Sequence, residues 1–189
     1  MTAHHRDDTA PARRTEPGSS SDVVEVDLSA FGPEVENARA MWAADPASAA
    51  LGMRAIEVSL SPAPEPAPES TSRSPGSAPG RLGRALVRMQ VDRRMVNGHE
   101  ICHGGYLFTL ADSAFALACN ASGRPTVAAG CDIDFLEPVR LGEVLFASAT
   151  ERVVRGRSGL TDVTVTRESD NRVVAEFRGR SRALPPPRT

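Results

Sequence analysis

Between residues 104 and 122 the chain carries an apolar segment in which Leu107, Leu110, Ala111, Ala114, Leu117, Ala118 and Ala121 recur at i, i+3, i+4 and i+7, the period of one helical face. Gly123 supplies its stop. A helix so rich in Ala, Leu and Phe cannot lie on water, so the rest of the chain has to wrap it. The segment is entered from a polar, glycine-containing loop, Asn97-Gly98-His99-Glu100-Ile101-Cys102-His103, and it holds one acid, Asp112. Asp112 stands off the main stripe, between Phe108 at i−4 and Phe115 at i+3. Burying an unpaired carboxylate is costly. Asp112 therefore either faces water or a capping loop amide, or is a carboxylate with a raised pKa that serves as general base or nucleophile at the floor of a pocket.

The elements around this helix follow from hydrophobic period. Residues 34–42 read as a short helix, with Pro33 at its first turn and Asp45-Pro46 ending it. Loose alternation over 51–60 reads as a strand, as does Ala85, Val87, Met89 and Val91 against Leu86, Arg88, Gln90 and Asp92. Beyond the long helix, Val127, Ala129, Cys131, Ile133 and Phe135 alternate with smaller or acidic residues until Glu137-Pro138. Three more strands are expected at 143–154, 159–167 and 172–180, separated by Arg155-Gly156 and Glu168-Ser169-Asp170-Asn171. The order of helix, two strands, long helix and four strands predicts an α+β fold, an antiparallel β-sheet wrapped around one long central helix. One sheet covers only part of that helix, so a second copy of the chain is expected to complete its burial.

Residues 1–30 read as a disordered N-terminal extension, 31–183 as the folded domain, and 184–189, with three consecutive prolines, as a loose tail. Within the domain, 61–80 is a Pro/Ser/Ala segment that builds no core and is expected to be an insertion in a hairpin. A net charge of −2 gives no electrostatic case for nucleic acid, and all the basic residues are Arg. Three cysteines without a CxxC pair suit a reducing compartment. No apolar run reaches the roughly 18 residues of a spanning helix, and the N-terminus has no apolar leader core, so a cytoplasmic protein with no membrane partner is expected. His99 and His103 lack a third ligand of metal-binding spacing, which predicts no metal. Cys102 beside His103 lacks an orienting base for a thiol nucleophile.

Asn97-Gly98-His99, Cys102-His103-Gly104-Gly105, Leu107-Phe108, Leu110-Ala111-Asp112-Ser113-Ala114-Phe115-Ala116 and Ala118-Cys119-Asn120 follow in one order, with Ile133-Asp134-Phe135-Leu136-Glu137-Pro138 and Phe177-Arg178-Gly179-Arg180-Ser181 downstream. In these stretches the chain resembles the PaaI-type acyl-CoA thioesterases of the hotdog-fold superfamily, the group acting in phenylacetate breakdown. The resemblance covers about residues 35–183; residues 1–30 and 61–80 look like additions to the family core. It implies a hotdog fold and hydrolysis, without a cofactor, of an aromatic (phenylacetyl-type) or medium-chain acyl-CoA to free acid and coenzyme A. It also implies Asp112 as the catalytic carboxylate, nucleophile or general base on water, and Gly104 as the backbone N–H donor to the thioester carbonyl. Asn97 and His103 would orient the carbonyl and the attacking group.

Physical chemistry constrains how these residues work together. A backbone N–H at a helix N-terminus is aimed at a developing oxyanion with the helix dipole behind it. Asp112 lies eight residues beyond Gly104, about 12 Å along one helix. Both cannot touch one carbonyl, so each site is expected to combine Asp112 of one subunit with the Asn97–Gly104 loop of another, in a homodimer at least, with a homotetramer as the expected assembly. Tyr106, Phe108 and Phe115 are candidates for the acyl pocket and equally for the core. Arg178, Arg180 and Arg182, spaced by two on the last strand, either bind the phosphates of coenzyme A or form a solvated edge. Asn97-Gly98 also has a plain reading, a turn. Two other functions compete: a hotdog enoyl-CoA hydratase, weakened because no histidine follows Asp112 at helical spacing, and a non-catalytic acyl-CoA-binding or scaffolding protein.

Overall fold

A computed structural model describes residues 29–63 and 80–185. The long apolar period becomes α3 (Gly104–Asn120), and the alternating segments become six strands: β1 (Arg54–Pro62), β2 (Arg81–Gln90), β3 (Thr126–Phe135), β4 (Val144–Arg155), β5 (Ser158–Arg167) and β6 (Val173–Ala183). They form one sheet in the order β1-β2-β4-β5-β6-β3, every pair antiparallel. The sheet curls over α3, which touches all its strands. The expected antiparallel sheet around one central helix is the architecture found.

The inner faces of the strands present Val87, Met89, Leu145, Ala147, Val163, Val165 and Phe177, all buried against Leu110, Ala114, Leu117 and Ala118 of α3. Gly83 of β2 makes the closest approach. A Cβ there would fall on the carbonyl oxygen of Ala118, so only glycine lets β2 pass this turn of α3. The Gly83 N–H donates to Oε2 of buried Glu151 on β4 (3.1 Å).

At the far end of α3, Asn120 fastens helix to sheet. Its Nδ2 donates to the carbonyls of Ala116 (3.0 Å) and Thr126 (2.9 Å), and its Oδ1 accepts from the Thr126 N–H (2.9 Å) and from Asn37 Nδ2 (3.2 Å). Asn37 belongs to α1 (Glu36–Ala43), which also buries Ala38 and Trp42.

Asp45-Pro46, expected to end the first helix, also begins another, α2 (Pro46–Ala50). Asp45 caps it, accepting from the N–H groups of Ala47 (2.9 Å) and Ser48 (3.2 Å), and Pro46 takes the first-turn position that needs no amide donor. The expected insertion at 61–80 starts later than its composition suggested. Ser61 and Pro62 pair with Leu82 and Arg81, and the Ala63 N–H donates to the Gly80 carbonyl (2.7 Å), so backbone pairing carries the hairpin past the first proline. Of the expected tail, Leu184 is tied by its N–H to the Pro125 carbonyl (2.8 Å). The expectations for residues 1–28, 64–79 and 186–189 lie outside the described residues. Among the described residues, no helix is long and apolar enough to cross a membrane.

Candidate active site

The loop before α3 is held by its own backbone. The Asn97 N–H donates to the Ile101 carbonyl (2.9 Å), the Cys102 N–H to Val139 (2.7 Å) and the His103 N–H to Met95 (2.8 Å). The Asn97 side chain closes the turn, its Oδ1 accepting from the N–H groups of His99 (2.9 Å) and Ile101 (3.5 Å). Asn97-Gly98 is thus a turn, as its plain reading held, but the left-handed residue is Glu100 (φ 60°) and not the glycine. The Asn97 amide nitrogen makes no hydrogen bond among the described residues, and this side chain faces a cavity.

His103 caps α3. Its Nδ1 accepts from the Gly105 N–H (3.2 Å), which commits that ring nitrogen to the helix and leaves the exposed imidazole edge free. Gly104, the first residue of α3, has no acceptor for its N–H among the described residues. A Cβ at Gly104 would stand 2.9 Å from the ring of Phe135. The space at this helix end is a cavity of about 380 Å³ lined by Asn97, Ile101, Cys102, Gly104 and Leu107, with Phe135, Leu136, Glu137, Pro138 and Val139 opposite. It is mostly apolar and has one free amide at its helical end.

An arginine holds the far wall. Arg167, with its side chain 12% exposed, donates from Nη2 to Glu137 (3.1 Å) and Asp170 (3.0 Å) and from Nη1 to the Pro138 carbonyl (3.3 Å) and Glu143 (3.4 Å). Arg172 adds a second ion pair to Glu137 (2.8 Å). The Asp170 carboxylate, followed by Glu143, holds the Arg167 guanidinium firmly in its charged form. Nothing in the sequence marks Arg167: only Asp170, three residues on, is local, while Glu137 and Glu143 reach it through the fold.

Asp112 lies outside this cavity. It is half-buried on α3, makes no hydrogen bond or ion pair among the described residues, and burial alone pushes its pKa up. Its charge reaches the thiols of Cys119 and Cys131, which places it toward β3. The next residue, Ser113, meets Ser48 (Oγ to Oγ 3.1 Å), whose hydroxyl donates to Asp45 (2.6 Å). Burial pushes the Cys102 thiol up to about 11, with the Asp92 charge adding to it, and burial takes Cys119 up to about 12. Burial thus favours the neutral thiol over the thiolate that a nucleophile needs at both positions.

The structure separates the remaining candidates. Phe115 is 1% exposed and packs at 5.8 Å from Phe177, so of its two readings the structure gives it the core. Phe108, half-buried, meets Phe177 edge to face at 5.4 Å. Tyr106, Phe108 and Phe115 do not line the cavity; its aromatic wall is Phe135. Arg178 and Arg180 point outward from the sheet and are engaged, Arg178 with Asp162 (2.6 and 3.0 Å) and Arg180 with Asp132. Arg152 shares Asp162 (3.0 Å). These arginines keep the Asp162 and Asp132 carboxyls below their ordinary range. Among the described residues no group of three His, Cys, Asp or Glu is placed to hold a metal ion.

Residues 99–174 match the family model of the Thioesterase superfamily. The chain is 45% identical over 102 residues to the acyl-coenzyme A thioesterase PaaI of Escherichia coli, spanning 54% of this chain and 72% of that protein. Its fold is similar to that of the solved E. coli PaaI protein from the phenylacetic acid degradation operon, with a TM-score of 0.65 and 36% identity over 80% of this chain and 94% of that one. It is also similar to a Streptococcus mutans UA159 protein solved bound to acetyl CoA, with a TM-score of 0.52 and 26% identity over 53% and 81% of the two chains.

Proposed function

This chain belongs to the thioesterase superfamily, as a hotdog-fold member of PaaI type, and from that membership we propose that it hydrolyses an aromatic or medium-chain acyl-CoA to the free acid and coenzyme A. The observation that carries the proposal is the pairing of an unpartnered, half-buried carboxylate with a free amide on the same helix, at Asp112 and Gly104.

The thioester carbonyl docks on the Gly104 N–H at the positive end of α3. Asp112 of a second subunit attacks the carbonyl carbon directly or takes a proton from a water that does so. Charge then develops on the carbonyl oxygen, where the amide and the helix dipole stabilise it. The C–S bond breaks, and the coenzyme A sulfur leaves and takes up a proton; where water attacked, the free acid is released at once, and where Asp112 attacked, the acyl group stays on its carboxylate as a mixed anhydride that water then hydrolyses to the free acid and Asp112. Desolvation suits Asp112 to either part, since a carboxylate stripped of water and hydrogen bonds is more basic and more reactive. The Asn97 amide nitrogen faces the same cavity and steadies the carbonyl, and His103 keeps the first helical turn in place.

A second copy is required because Asp112 does not reach the cavity of its own chain. Of the two edges of the sheet, β3 is the one that packs more against α3, and we place the contact there: it leaves backbone groups open and exposes Val127. Engaged with acids on the outer sheet face, Arg178 and Arg180 reach coenzyme A phosphates only by exchanging those partners.

Thiol release from a panel of saturated, unsaturated and arylacetyl CoA thioesters tests the reading. No release from any member would overturn it in favour of a binding or scaffolding role, and water addition to an unsaturated member would favour the hydratase. Mixing inactive Asp112→Asn with inactive Asn97→Ala protein tests the shared site. Recovered activity in the mixture is expected, because one site of each mixed pair holds both intact halves.

A further inference from the structure

We propose that Phe135 selects the acyl group, giving the site a preference for acyl chains that end in a flat aromatic ring. The inference rests on the thioesterase reading and gives a role to a residue that had none in the sequence, where Phe135 stands only as the end of a strand and part of a matching stretch.

Phe135 is the last residue of β3, where the edge strand leaves the sheet. It is 52% exposed, and the next residue, Leu136, is 56% exposed, so two large apolar side chains stand open side by side. Yet the Phe135 ring is not loose on the surface. It leans on the first turn of α3, near enough that a methyl group on Gly104 would meet it at 2.9 Å. Glycine at 104 therefore does two things: it bares an amide and it admits this ring beside the amide.

The position decides what the ring meets. A carbonyl that accepts from the Gly104 N–H sits about 2.9 Å from that nitrogen. Its acyl substituent begins one bond further on, inside a cavity whose walls are Phe135, Leu136, Leu107, Ile101 and Val139. Four of these are aliphatic and serve any apolar chain. Phe135 alone offers a π face, and an aromatic ring against it gains offset or edge-to-face contact beyond its buried area. The wall also keeps its place without a ligand, because Arg167 grips Glu137 and the Pro138 carbonyl just beyond Leu136. A fixed wall discriminates by shape better than one that moves with each ligand.

The test compares wild type, Phe135→Ala, Phe135→Leu and Phe135→Tyr as full-length protein on phenylacetyl-CoA, benzoyl-CoA, hexanoyl-CoA and octanoyl-CoA. Melting temperature and oligomeric state are recorded for each variant. Phe135→Leu keeps the bulk and removes the π face, so the aryl-to-alkyl ratio of kcat/KM should fall roughly three- to tenfold, with straight-chain rates nearly unchanged. Phe135→Tyr should keep the wild-type ratio. An unchanged ratio in Phe135→Leu and Phe135→Ala overturns the proposal. So does an equal loss on all four thioesters with a weakened oligomer, which would make Phe135 an assembly contact only. If wild type hydrolyses none of them, the thioesterase reading fails by itself. Calorimetric binding of the non-hydrolysable phenylacetyl and hexanoyl thioether analogues then decides the Phe135 assignment: equal loss of both in Phe135→Leu overturns it, and selective loss of the phenylacetyl analogue upholds it.

Discussion

Gly104 and Asp112 stand on one helix, eight residues and about 12 Å apart, with Gly104 in the wall of the cavity and Asp112 outside it. The first brings a free amide and the second a desolvated carboxylate, and in the mechanism proposed above a single carbonyl meets both when two copies of the chain face each other. Four expected outcomes follow from this geometry and from the packing that supports it.

In the proposed mechanism, replacing Asp112 removes the attacking or proton-accepting group. Asp112→Ala and Asp112→Asn should lower kcat by about 10² to 10⁴, the usual contribution of a positioned acid-base group, read as thiol release. The acid limb of the wild-type kcat/KM profile should lie above the ordinary aspartate value of about 3.9, because burial raises this carboxyl.

The same carboxyl costs the fold stability. Its folded pKa is above its unfolded one, so wild-type stability falls as pH rises from the unfolded value through the raised folded value. Asp112→Asn cannot ionise and escapes that loss. Denaturant titrations should show the variant more stable than wild type at neutral pH, with the difference closing toward pH 4 and below; a variant less stable at pH 7 would contradict the desolvation account.

Gly83→Ala should be far more damaging than an ordinary glycine substitution in a strand. Its Cβ meets the backbone carbonyl of Ala118, which cannot swing aside as a side chain can. A loss of about 1 to 3 kcal/mol is expected from overpacking, with more if the Glu151 hydrogen bond breaks too, measured as a shift in chemical denaturation midpoint.

Arg167→Met should uncouple the wall from the sheet. The variant loses hydrogen bonds to Glu137, Glu143, Asp170 and the Pro138 carbonyl and leaves charged partners behind, a cost of about 1.5 to 3 kcal/mol. Because the cavity wall shifts while Asp112 and Gly104 stay, KM for acyl-CoA should rise more than kcat falls. Equal effects on both would argue that Arg167 supports the fold alone.

Much of this protein was readable in its residues because the relevant patterns are local. The 3.6-residue period of α3, the alternation of the strands and the glycine before the helix each rest on neighbours a few positions away. The oddity of Asp112 was also local, an acid between two phenylalanines on an apolar helix. The second helix is legible too, in Asp45-Pro46, a pair whose capping chemistry makes it a start as well as a stop.

The cavity beside Gly104 is different in kind. Helix aromatics look like pocket residues in a sequence, yet Phe115 turns inward to Phe177 while Phe135, from the end of an edge strand, stands over Gly104. Arg178 and Arg180 look free until Asp162 and Asp132 arrive from neighbouring strands. Asn120 finds Asn37, and Arg167 finds Glu137, across spans of sequence that no spacing connects. Local period carries the central helix, the sheet that must cover it and the acid that does not belong there, because burial of apolar surface is written in neighbouring residues. Which side chains line the space beside Gly104, and which charges are already paired, is settled by the way the strands come together. Those facts depend on the order β1-β2-β4-β5-β6-β3, which sets residues far apart in the chain against one another.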